Sequence, residues 1–207
     1  MAELLLASAN AKKLAELRRI LVRAGVDGLA VLGLDEAADY ELPAETGTSF
    51  EENALIKARA GAVATGLPTL ADDSGFAVDA LSGMPGVLSA RWAGSRAGDE
   101  ANRHLLLEQM RDFAPPQRRA RFVSVCALVV AGSADGRSGA EILTRGEWAG
   151  SVAVAASGAG GFGYDPVFLP DDAQGRTAAQ LEPEEKDALS HRGAALAKML
   201  PHLAALR

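Results

Sequence analysis

Periodicity constrains this chain more than any other feature. The first apolar run, Leu4 to Ser8, is short and continuous and reads as a buried strand. Directly after it the spacing changes: Leu14, Leu17, Ile20, Leu21 and Ala24 recur at helical intervals, with Asn10 placed to cap the start and Gly25 to stop the end. A second helix is predicted from Ser49 to about Thr65, opened by the capping-box pair Ser49 and Glu52. Strands follow at Thr69 to Ala71 and Phe76 to Ala80, then a turn over Ser82-Gly83-Met84-Pro85-Gly86. A helix from about Asp99 to Asp112 leads into strands near Arg121 to Ala131, Glu141 to Trp148 and Ser151 to Ala155, and a glycine-rich loop and C-terminal helix complete the chain. Strands and helices interleave without strict alternation, which predicts an α/β fold with a mixed sheet flanked by helices, not a doubly wound parallel one.

Composition limits what such a fold does. At 207 residues the chain fits one large domain, 1–207, or two closely associated lobes. A formal charge of −6 argues against a nucleic-acid groove, which needs surplus lysine and arginine, but leaves room for a small anion held by local cations. Cys126 is the single cysteine, so no intrachain disulfide forms; its apolar surroundings predict a buried structural thiol in a reducing compartment. Glu3 precedes the short N-terminal apolar stretch, unlike a secretory signal, and the run Phe122 to Gly132 is too short to cross a bilayer. The expectation is a soluble, cytoplasmic protein without membrane or nucleic-acid partners.

Four constellations carry candidate chemistry. Ser8-Ala9-Asn10-Ala11-Lys12-Lys13 sets a hydroxyl, an amide and ammonium groups at a helix start, where backbone N–H groups also favour phosphate oxygens. Taken alone, an N-cap followed by solvated lysines is the better explanation, and no GxxxxGK[ST] P-loop is present. Glu45-Thr46-Gly47 precedes Asn53 and Lys57, which are four apart and share a helix face. Ala71-Asp72-Asp73-Ser74-Gly75 sets two adjacent carboxylates at a strand end, either a turn or a site for magnesium, which takes one or two carboxylates with phosphates completing its shell. Gly160-Gly161-Phe162-Gly163-Tyr164-Asp165-Pro166, with Lys186 and Ser190-His191-Arg192-Gly193, offers aromatic surface, an acceptor and donors that suit a base edge; its rival is a plain hairpin loop.

Together these sets resemble the inosine triphosphate pyrophosphatases, enzymes for non-standard purine nucleoside triphosphates. The resemblance runs from Leu4 to Met199 and is most specific at Ser49-Phe50-Glu51-Glu52-Asn53-Ala54, Ala71 to Gly75, Gly161 to Pro166 and Ser190 to Gly193. It implies an elongated α/β fold with a central mixed sheet, two lobes with an active-site cleft between them, and a homodimer. It implies hydrolysis of inosine, deoxyinosine or xanthosine triphosphate to monophosphate and pyrophosphate. By the same resemblance Ser8, Asn10 and Lys13 hold phosphates with Lys57 and Ser74 assisting, Glu45 and Asp73 hold magnesium, and Asp73 is the general base. Phe162, Gly163, Tyr164, Asp165, Lys186, His191 and Arg192 match base and phosphate contacts. Many relatives have Thr-Gly at Ser8-Ala9, so this turn is expected to keep an ordinary φ. Asp72 is read as a twin that raises the pKa of Asp73, or as a structural partner. Alternative readings are a related-fold pyrophosphatase for modified pyrimidine nucleotides and a catalytically silent nucleotide-binding module.

The spacing of Lys186 and Arg192 carries one further expectation. Six residues apart, they are about 120° out of register on a continuous helix. Both reach one ligand only if the helix breaks, and Ser190 is expected to cap the second piece.

Overall fold

A computed structural model of the chain describes residues 2–37, 41–132 and 139–206. The chain is α/β. Its strands are β1 (Ala2–Leu6), β2 (Leu29–Leu32), β3 (Thr69–Val78), β4 (Pro85–Gly86), β5 (Arg119–Val130), β6 (Ala140–Val152) and β7 (Phe168–Pro170). The helices among the described residues are α1 (Ala11–Arg23), α2 (Phe50–Thr65), α3 (Asp99–Gln109), α4 (Pro183–Leu189) and α5 (His191–Ala204). The strands form one sheet in the order β2-β1-β3-β5-β6-β7, with β4 paired to β3. The sheet is mixed: β1 runs parallel to β2 and β3, whereas β3–β4 and β6–β7 are antiparallel.

Residues 1–73, 125–145 and 195–207 form one compact unit, and 74–124 and 146–194 a second. In the first, Leu4 and Leu6 of β1 pack with Leu17 and Leu21 of α1 and with Leu196, Met199 and Leu203 of α5. Cys126 is fully buried in this core, as its apolar surroundings predict. The second core is aromatic. Phe76 stands 4.8 Å from Phe122, 5.1 Å from Tyr164 and 5.5 Å from Phe168 between ring centroids. No helix among the described residues is long and apolar enough to cross a membrane.

Local signals explain the helix ends. Ser49 Oγ accepts from Glu52 N and opens α2, and the Glu52 carboxylate reaches back to Thr48 N. Gly66, at φ 70°, closes α2 in the left-handed conformation. At α1 the Asn10 carbonyl accepts the first helical bonds, from Lys13 N and Leu14 N. Positive φ at non-glycine positions among the described residues falls at Ser82 and Gln174, so Ala9 keeps an ordinary backbone as expected.

Two strand boundaries differ from those read in the sequence. The expected break at Asp72-Asp73-Ser74-Gly75 does not occur, and β3 runs unbroken for 10 residues. Its two carboxylates are tolerated in mid-strand because each meets its own lysine, described below. The strands expected at Glu141 to Trp148 and Ser151 to Ala155 are likewise one element, β6. Gly150 reads as a break but is a packing requirement: a Cβ there would run into the Leu169 carbonyl and the Phe168 ring of β7.

Candidate active site

The first unit holds the acidic group. Consecutive strand residues face opposite ways, so Asp72 and Asp73 part company despite being neighbours in sequence. Asp72 Oδ2 lies 2.7 Å from Lys13 Nζ, at the start of α1. Asp73 Oδ1 accepts from Lys57 Nζ at 3.1 Å, and the same ammonium donates to Glu45 Oε1 at 2.6 Å. Asn53, one turn before Lys57 on α2, donates to Asp73 Oδ2 at 3.3 Å. Its amide cannot turn over without loss, because Gly47 N donates to Asn53 Oδ1 at 2.8 Å. Gly47 has no room for a Cβ beside Glu52 and Asn53. Ser8 Oγ accepts from Asn10 N at 3.3 Å, so the turn before α1 is tied within itself.

One ammonium thus serves two carboxylates, and the charges do not balance. Burial raises the pKa of Asp73; Lys57 opposes this, Glu45 reinforces burial, and the net shift is upward from 3.8. Of the two roles read for Asp72, the contacts favour the structural partner: Asp72 pairs with Lys13, and the carboxylate that raises Asp73 is Glu45. Burial works against the charge of Lys57, but Asp73, Glu45 and Asp72 outweigh it and raise its pKa. Among the described residues no cluster of three or more His, Cys, Asp or Glu forms a complete metal shell. Glu45 and Asp73 converge on one cation, Lys57, and their oxygens are of the kind a hard divalent ion takes.

The second unit holds the aromatic and cationic group. Ser190 follows α4 in extended conformation (ψ 153°), and its Oγ accepts from Gly193 N at 3.1 Å to open α5. The break expected from the spacing of Lys186 and Arg192 is therefore present. Both reach the same ring: Lys186 Nζ lies 5.1 Å and the Arg192 guanidinium carbon 5.9 Å from the Phe162 centroid. Arg192 also donates to Ser74 Oγ at 3.2 Å, so Ser74 belongs with the arginine in this unit. Lys186 Nζ donates to Asp165 Oδ2 at 2.5 Å, and Phe162 N donates to the same oxygen at 2.7 Å.

These contacts divide the work of the glycine-rich loop. Phe162 is 41% exposed and Tyr164 only 4%. The Tyr164 ring stacks on Phe76, and its hydroxyl donates to Ser89 O at 2.9 Å. Burial, with Asp99 adding, pushes that phenol well above its ordinary range and keeps the donor protonated. His191 is buried with its ring stacked on Phe122 at 4.8 Å. Of the loop's two aromatics, only Phe162 keeps an exposed ring. Gly161 is obligatory, since a Cβ there would strike the Asp165 carboxylate. Ser89, Asp99 and Arg103 also touch this region and were not legible in the sequence, because each reaches it from at least 60 residues away.

These features define a class: an α/β protein with two adjacent carboxylates in mid-strand, each paired to a lysine from a different helix, and a glycine-rich loop whose one exposed aromatic ring lies beside two cations. The chain belongs to the Ham1 family, whose profile matches residues 4–202. A dITP/XTP pyrophosphatase of Nocardia farcinica is 61% identical over 206 residues, covering 100% of this chain and 97% of the relative. The crystal structure of a nucleoside-triphosphatase / dITP/XTP pyrophosphatase from Mycobacterium abscessus superposes with a TM-score of 0.78 at 53% identity, covering 96% of this chain and 99% of that one. A HAM1 protein from Coxiella burnetii gives a TM-score of 0.86 at 40% identity, covering 99% and 100%.

Proposed function

We propose that this chain hydrolyses non-standard purine nucleoside triphosphates (inosine, deoxyinosine and xanthosine triphosphate) to the monophosphate and pyrophosphate, with magnesium held by Glu45 and Asp73. The observation that carries the reading is the convergence of these two carboxylates on Lys57. A binding module needs cations for phosphate but no buried acid with a raised pKa, whereas a hydrolase needs a base. The names of the relatives favour purine over pyrimidine substrates.

Each residue has a task that follows from its surroundings. Lys13 and Lys57 supply positive charge to the triphosphate, with Ser8 and Asn10 adding donors at the start of α1. Magnesium supplies charge neutralisation on the leaving pyrophosphate. Asp73 accepts a proton from the attacking water, and Asn53 fixes the direction of its carboxylate. Phe162 stacks on the base, Lys186 and Arg192 lie over the same ring, and Asp165 holds Lys186 in place. The lone buried Cys126 suits a reducing cytoplasm, and the family likeness suits a homodimer.

The raised pKa of Asp73 gives the reading a signature. A base acts only when deprotonated, so kcat/KM for inosine triphosphate falls on the acid side, and the limb lies highest where magnesium is scarcest, because burial raises the metal-free carboxyl. Magnesium competes with the proton for the same oxygens, so raising its concentration moves that limb to lower pH. Rate profiles at two magnesium concentrations, with chelator as the zero, test both points. Full activity in chelator, or an acid limb indifferent to magnesium, contradicts the assignment of Glu45 and Asp73.

A further inference from the structure

In the second unit α3 grips the glycine-rich loop at one residue. Asp99 and Arg103 are four apart on α3 and therefore share a face. Asp99 Oδ2 accepts from Gly163 N at 2.7 Å, and Arg103 Nη1 donates to Gly163 O at 2.8 Å. An acceptor meets the N–H and a donor meets the C=O of one residue, each bond strengthened by a full charge. Gly163 is held at φ 57°, and no atom lies within 4 Å of where its Cβ would stand. Glycine is needed there for its conformation, not for space.

Its neighbours are secured by other means. Tyr164 is anchored in the core through Phe76 and Ser89 O, and Asp165 is held by Lys186 and Phe162 N. Phe162 alone of the three keeps an exposed ring, on a backbone tied to Asp165 through its own N–H and to α3 through the next residue, Gly163. We propose that Asp99 and Arg103 are positioning residues for purine recognition: by clamping Gly163 in the left-handed conformation they hold Phe162 where it can stack on the base. This rests on the purine-nucleotide reading given above. The clamp touches neither Asp73 nor Glu45, so its loss weakens base binding and leaves the chemical step alone. The gain is preorganisation, because an unclamped loop must be ordered at the expense of binding.

Alanine and conservative variants separate positioning from mere stability. Arg103→Ala and Asp99→Ala are each expected to raise KM for inosine triphosphate, and Kd for inosine monophosphate by calorimetry, roughly 10-fold, with kcat within about threefold. Arg103→Lys, which still donates, and Asp99→Asn, which still accepts, are expected to recover most of the loss. Asp99 also opens α3, so stability alone would predict a fall in Tm without a split between KM and kcat. In a Phe162→Ala background, Arg103→Ala is expected to add nothing further, since the clamp acts through that ring. Additive losses in this cycle, or an unchanged Kd in a folded Arg103→Ala protein, overturn the proposal. Should an alanine variant fail to fold, Arg103→Met and Asp99→Leu, which keep the volume but not the bond, with accelerated amide hydrogen exchange over Gly160 to Asp165 and weaker Kd still support the clamp; protection and Kd both unchanged overturn it. Wild-type protein that binds inosine monophosphate but hydrolyses no triphosphate defeats the hydrolase reading alone, whereas no binding of any purine nucleotide defeats both.

Discussion

Asp73→Asn is expected to lower kcat for inosine triphosphate by roughly 10²-fold or more, the usual cost of losing a positioned base or a metal carboxylate. The fold is expected to survive, and the reason lies in the sign of the pKa shift. Asp73 has its folded pKa raised above the unfolded value, chiefly by burial. A carboxyl of this kind subtracts stability as pH rises through the window between the two values, and restores it as pH falls below. At neutral pH, without magnesium, removing that charge costs the fold nothing from this source. The amide keeps an oxygen for Lys57 and fills the same volume, but it sets an NH2 group against the Asn53 donor, which offsets part of the relief. Thermal unfolding in chelator is therefore expected to show a Tm close to wild type, alongside the loss of turnover. Near-normal turnover in the folded variant removes Asp73 from the chemistry.

Arg192→Ala is expected to produce the second large effect, on selectivity. The guanidinium only donates, so it favours a 6-oxo purine, whose O6 accepts, over adenine, whose 6-amino group donates. Arg192 is buried, opens α5, donates to Ser74 Oγ and lies beside the Phe162 ring. A buried polar mismatch discriminates far more strongly than a lost methylene. Wild type is expected to prefer inosine over adenosine triphosphate by at least about 10²-fold in kcat/KM, and Arg192→Ala to narrow that ratio by about 10-fold or more. Loss of the cation beside Phe162 also weakens stacking, which lowers affinity for both triphosphates, whereas the lost O6 contact falls on inosine triphosphate alone. Equal hydrolysis of the two by wild type, or an unchanged ratio in the variant, excludes Arg192 as the base reader.

Some of this architecture could be read directly from short-range patterns. Ser49, Glu52 and Gly66 mark the ends of α2 because capping is local chemistry. Ser190 betrayed the break between α4 and α5 because two cations six apart on one ligand exclude a continuous helix. Asp72-Asp73 defeated the same approach. Two adjacent acids looked like a turn, since the lysines that let them stand in mid-strand come from α1 and α2, far back in sequence. The roles of the loop aromatics were hidden for a related reason. Tyr164 and Phe162 look alike in sequence, and only the tertiary contacts of Phe76 and Ser89 O commit one to the core and leave the other exposed. The α3 clamp on Gly163 spans more than 60 residues between donor and acceptor in one of its two bonds, and no local pattern announces it.

Hydrolysis is expected between the α- and β-phosphates, with intact pyrophosphate leaving. In the proposed reaction Glu45 and Asp73 would hold magnesium, which would supply charge neutralisation to the leaving group, and Asp73 would take the proton of the water that attacks the α-phosphorus. Hydrolysis of inosine triphosphate in oxygen-18 water, with mass spectrometry of both products, reads the attacked atom directly. The label is expected in inosine monophosphate, with unlabelled pyrophosphate and no diphosphate intermediate. Label in the pyrophosphate, or orthophosphate as the first product, contradicts the proposed reaction.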